Sequence, residues 1–186
     1  MGIPTLIKTQ TASDSTSLEF VDGTDDVVLD GTYDEYMFVF TDINPVTDAT
    51  DFSFQVNATD DAGGDYDTSL ITSSYFRAYH DESDVAAAVG YASGSDQAQS
   101  AGYQQLMYWM GSGADESGAG VLHLFNPSST TYVKHFYSRC QVALSAARAD
   151  DDFIAGYIND TTAIDEISFK MASGNFDGVI QLYGIA

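Results

Sequence analysis

No stretch of this chain repeats apolar residues at helical spacing for more than two turns, whereas the alternation of a half-buried strand recurs from end to end. Asp51 to Asn57 is the clearest case: Phe52, Phe54 and Val56 read as facing a core, and Ser53, Gln55 and Asn57 as facing water. Ile164 to Met171 repeats the pattern, with Ile167, Phe169 and Met171 against Ser168 and Lys170. Glu35 to Ile43 differs, because Tyr36, Phe38 and Phe40 occupy one face and Met37 and Val39 the other. Neither face reads as solvated, which predicts a central strand. Turn chemistry falls between such runs, at Asp22 to Asp26, Asp30-Gly31, Asn44-Pro45 and Asn159-Asp160, at the spacing of a sandwich or barrel.

The remaining runs follow suit. Thr5 to Ser13 and Ser17 to Val21 predict a hairpin around Asp14-Ser15. Val121 to Phe125 and Tyr132 to Arg139 predict another across Asn126 to Ser129, and Gly174 to Gly178 predicts a third before the closing strand Val179 to Ile185. Leu70 to His80 places Tyr75, Arg77 and Tyr79 on one side, so that Arg77 could stack on the two tyrosines. Val85 to Ala92, Gln105 to Met110 and Phe153 to Ile158 complete ten to twelve strands. The expectation is one domain over 1–186, all-β, an antiparallel β-sandwich of jelly-roll type, with a closed barrel as the alternative.

Charge narrows the partners. Against 28 Asp and Glu stand 6 Lys and Arg, for a formal net charge of -22, and no basic cluster interrupts the acid. Such a field repels a phosphate backbone or an anionic bilayer, so neither nucleic acid nor membrane is expected, and no apolar run reaches the length of a spanning helix. Solubility in salty water is the plain account of the acid, and cation binding the specific one. Asp60, Asp61, Asp65 and Asp67 around Gly63-Gly64 are the candidate ligands for a structural Ca²⁺, the one cofactor considered, although the loop lacks the EF-hand order. Asp150 to Asp152 reads as an acidic corner. Met1 to Pro4 has neither the charged start nor the apolar run of a secretory signal.

No catalytic residue is expected. Gly111-Ser112-Gly113 lacks the frame of a hydrolase nucleophile, and Cys140, the sole cysteine, reads as a small core residue that can form no intrachain disulfide. His123 and His135 lie on neighbouring hairpin arms where they could stand opposite each other, but two ligands do not make a metal site. Tyr108 and Trp109 are the candidate platform for a neighbouring subunit or a sugar ring.

Five phrases, Thr5 to Phe20, TYDEYMFVFTDINP at Thr32 to Pro45, SSYFRAYH at Ser73 to His80, LHLFNPSSTTYVKHF at Leu122 to Phe136 and the ending FDGVIQLYGIA, resemble a family of tailed-phage virion structural proteins common among marine phages. The resemblance covers nearly the whole chain in order. It implies a non-enzymatic, β-rich building block in the virion, present in many copies, whose partners are copies of itself, as in a trimer, and other virion proteins. A decoration or cement subunit on the head exterior is the first expectation from it. The alternatives are a tail or fibre component binding host surface glycan, and a hydrolase on the same scaffold.

Overall fold

A computed structural model of the chain describes residues 2–60, 66 and 69–186. Thirteen strands form among the described residues, in chain order β1 (Thr5–Ser15), β2 (Leu18–Val21), β3 (Glu35–Pro45), β4 (Thr50–Ala58), β5 (Ile71–Asp81), β6 (Ala87–Tyr91) and β7 (Ala98–Ser100), then β8 (Gln104–Met110), β9 (Gly118–Phe125), β10 (Lys134–Leu144), β11 (Arg148–Ile158), β12 (Ile164–Met171) and β13 (Phe176–Ile185). The described residues form no helix, and every ladder is antiparallel.

Two paths of strands make up the sheet. The longer runs β1-β13-β3-β9-β10-β11-β5, with β6 and β7 both paired to β5, and the shorter runs β2-β12-β4-β8. Leu144 paired with Met110 links them on one side, and on the other Gln10 Nε2 donates to the Glu19 carbonyl at 2.7 Å, so the sheet nearly closes as a barrel. Phe169 of β12 stands at the centre of the interior, with ring centroids 5.2 Å from Phe38, 5.3 Å from Phe40, 6.0 Å from Phe52 and 6.1 Å from Phe20. Residues of both paths therefore bury their apolar faces in one core.

The arms of the predicted central hairpin pair as β9 and β10. The other two predicted hairpins do not form: β1 pairs with β13 and β2 with β12, while β12 and β13 lie on different paths. The turns between them carry the chain from one path to the other. β4 has no wet face either, because Ser53, Gln55 and Asn57 are all buried. The Gln55 side-chain amide donates to the carbonyls of Ser69, Ala101 and Gly102, which lay covering backbone over that side of the strand.

Asp150 to Asp152 is not a corner. These residues lie inside β11, and Asp150 and Asp152 point inward with no exposure at all. The expected turn comes earlier, where β10 ends at Leu144 and β11 begins at Arg148.

Candidate functional site

Alternation along β10 sets the character of the outer surface. Lys134, Phe136, Ser138, Cys140 and Val142 point inward, so His135, Tyr137, Arg139 and Gln141 point out. Register extends this pattern across the long path. One outward row runs Val39, Val121, Arg139, Phe153, Phe76, Tyr91 over six strands, about 24 Å at the usual ~4.8 Å strand spacing. The next row carries Met37, His123, Tyr137 and Ala155. Neither row contains an acid. Three carboxylates border the rows: Asp151 takes a two-pronged bond from Arg139 at 3.0 and 2.7 Å, Glu35 is hydrogen-bonded to His123 Nδ1, and Asp96 Oδ2 accepts from the Tyr91 hydroxyl at 2.6 Å. Rings tile the surface: Phe76 lies flat on Phe153 at 4.8 Å, and His123 on Tyr137 at 4.4 Å. On a chain of net charge -22 this is a neutral, aromatic face, and at its margin β6 exposes Val89 (71%) and Tyr91 (60%). β6 is an uncharged strand paired on one side only.

A second site lies on the other side of β5. Arg77 packs its guanidinium 3.9 Å over Tyr108, and Arg148 packs 4.3 Å over Tyr79 while gripping Asp150 with two bonds of 2.7 and 3.0 Å. Arg77 thus stacks on β8 and not on the tyrosines of its own strand. Beside it, Tyr108 N–H donates to Asp152 Oδ2 at 3.0 Å and Trp109 N–H to Asp51 Oδ1 at 2.8 Å. These bonds hold Trp109 at a φ of +46°, a conformation that a bulky side chain rarely adopts. Tyr108 is consequently half-buried over Arg77, while Trp109 stands 47% exposed with its ring edge-on to Tyr108 at 5.4 Å. Arg77, Tyr108, Trp109, Leu144, Ala146 and Arg148 line a groove of about 220 Å³. Burial pushes the Asp152 carboxyl up to about 7, with the Tyr108 N–H pulling the other way, and burial also raises Asp51 and Asp150.

The other predicted site residues are placed as follows. Asp60 is exposed and accepts the Thr162 hydroxyl at 3.0 Å; Asp61, Asp65 and Asp67 lie outside the described residues. Among the described residues no group of three or more His, Cys, Asp or Glu could hold a metal ion. A positive charge is nonetheless built in nearby, since the wholly buried Lys134 donates to the carbonyls of Asp160 (3.0 Å) and Thr162. Burial holds its pKa below the ordinary lysine value, opposed by the carboxylates of Asp160 and Asp60. His123 stands opposite Tyr137, not His135, whose partner is Tyr157; register separates the two histidines. Cys140 is buried, its thiol pushed up to about 12 by burial, and Gly120 across the ladder leaves it room, since a Cβ there would lie 2.6 Å from Cys140 Sγ.

Comparison with protein-family models gives no match, and comparison with curated proteins gives none. The class defined by the structure is therefore architectural: an all-β chain whose antiparallel sheet nearly closes, bearing one neutral aromatic face and one arginine-lined groove.

Proposed function

We propose that this chain is a non-catalytic structural subunit of a tailed-phage particle, of the decoration or cement type on the head exterior. It joins neighbouring copies through the outward face of the long path and the free edge of β6. The observation that carries the reading is the neutral aromatic face on a chain of net charge -22. Exposed apolar patches of this breadth mark interaction sites, and an uncharged edge strand without lysine or proline is open to pairing. Connectivity supports the same reading. With β5 to β7 and β10 to β11 taken as insertions, eight strands remain in the orders β1-β13-β3-β9 and β2-β12-β4-β8. This order supports reading the eight strands as a jelly roll, an architecture of viral capsid domains and of lectins.

The test is association as a function of salt. Screening of the acidic surround should strengthen self-association between about 0.05 and 0.5 M NaCl in sedimentation experiments. Tyr137→Asp on the face and Val89→Lys on the edge should each weaken it roughly tenfold or more, as a charge on a buried apolar contact does. A chain that stays monomeric throughout, or variants that associate as the parent does, would refute the interface. Labelling of intact particles decides the location, since labelled tail tips in place of labelled heads would overturn the decoration role.

A further inference from the structure

We propose that the groove between β5 and β8 binds a carboxylate-bearing saccharide, the sugar ring lying on Trp109 and its carboxylate meeting the Arg77 guanidinium. The inference is independent of the assembly reading, because groove and outer face lie on opposite sides of β5.

Three observations converge on it. Trp109 is held in a backbone conformation that a bulky residue rarely adopts, and two carboxylates on different strands, Asp152 and Asp51, fix it there. The effect of that constraint is to keep the one indole of the chain presented to solvent as a flat, apolar surface with a polar edge, the shape that stacks on a sugar ring.

The second observation is Arg77. A guanidinium carries five N–H donors in a planar fork, yet that of Arg77 forms no hydrogen bond with any described residue. Its contacts are the stack on Tyr108 and a 3.6 Å ion pair with Asp150, and its Nη1 is buried without a hydrogen-bond partner. Arg148 differs, because Asp150 already closes its fork. One arginine thus supplies local charge and the other the unbonded Nε and Nη2 edge of its guanidinium, two parallel donors that match the two oxygens of a carboxylate.

The third is size and field. About 220 Å³ is less than the ~300 Å³ of the smallest drug-sized pockets and suits one sugar unit of a longer chain. The net charge of the protein opposes an anion at long range, but physiological salt screens this beyond about 8 Å. Around the groove, two guanidinium groups face three carboxyls, Asp150, Asp152 and Asp51, each of which burial inclines toward its neutral form.

Trp109 is the only tryptophan, so its fluorescence reports on this groove alone. The intact protein is titrated with an alginate hexasaccharide, built of uronic acid units, with the neutral cellohexaose and with glutarate, a carboxylate without a ring. The alginate hexasaccharide should give a saturable change, with cellohexaose and glutarate weaker by roughly tenfold or more. Arg77→Lys keeps the charge and loses the fork; with an unliganded emission spectrum like the parent's, it should bind about tenfold more weakly. Trp109→Ala, at an exposed position, should lose the binding heat in calorimetry. No saturable response to the alginate hexasaccharide, an equal response to cellohexaose or to glutarate, or undiminished binding by either variant would overturn the proposal. None of these results touches the self-association of the outer face.

Discussion

Each of the six lysines and arginines has a fixed partner. Four lie over aromatic rings: Arg77 on Tyr108, Arg139 on Phe153, Arg148 on Tyr79 and Lys170 on Tyr103. The other two bond to backbone carbonyls, Lys8 to Asp25 and Lys134 to Asp160 and Thr162. Many acids do local work too. Asp25, Asp26 and Asp84 in turns, and Asp14 and Asp42 where the ladders of β1 and β3 shift register, all take positive φ, which a short side chain able to bond its own backbone tolerates. Asp152 is the exception that titrates usefully. Its folded pKa of about 7 lies above the ~3.9 of an unfolded aspartate, so the folded chain holds a proton that the unfolded chain has released between those values. The stability contributed by neutral Asp152 is complete below about pH 4 and is lost as pH rises through about 7. At about 1.4 kcal/mol for each tenfold change in proton affinity, the loss is on the order of a few kcal/mol. Asp152→Asn, which keeps the shape and cannot ionise, should flatten the fall in urea-unfolding free energy between pH 5 and 8 seen in the parent; an identical pH profile would show that the carboxyl is already ionised at pH 5.

At the scale of elements, β12 holds the two paths together through one side chain. Phe169 has no exposure and touches rings from both paths, so Phe169→Ala should destabilise by about 3–5 kcal/mol in chemical denaturation. A loss below about 1 kcal/mol would mean that the core collapses around the gap. Phe169 was legible in the sequence because alternation is local, and most strands were found in the same way. Their partners were not. Asp14-Ser15 and Gly174 to Gly178 carry hairpin chemistry, but consecutive strands there lie on different paths, a choice made by pairing with strands far away in sequence. Asp150 and Asp152 look like a solvated run because, although Arg148 of the same strand grips Asp150, the other groups beside them, Arg77 and the Tyr108 N–H, are contributed by other strands. The outer face had one local signal, the second apolar row of β3 at Met37 and Val39; its breadth emerges only when register aligns that row with β9, β10, β11 and β5. Tyr108 and Trp109 were visible as aromatics, whereas the arginines beside them were not predictable from spacing.

For the whole molecule the governing quantity is the uncompensated acid. With net charge -22, self-repulsion opposes the compact state, and that repulsion weakens as the Debye length falls from about 30 Å at 0.01 M salt to about 8 Å at 0.15 M. The melting temperature should therefore rise with NaCl over this range. A specific cation would add to that rise, and the candidate loop is the one carrying Asp60, Asp61, Asp65 and Asp67. Asp60, however, already bonds Thr162, and the buried ammonium of Lys134 supplies positive charge to the same corner. Screening alone then predicts equal melts in NaCl and CaCl₂ at matched ionic strength, with no change on adding chelator. A higher melt in CaCl₂ that chelator reverses would instead show Ca²⁺ bound to the folded chain, stabilising it in proportion to the logarithm of its concentration.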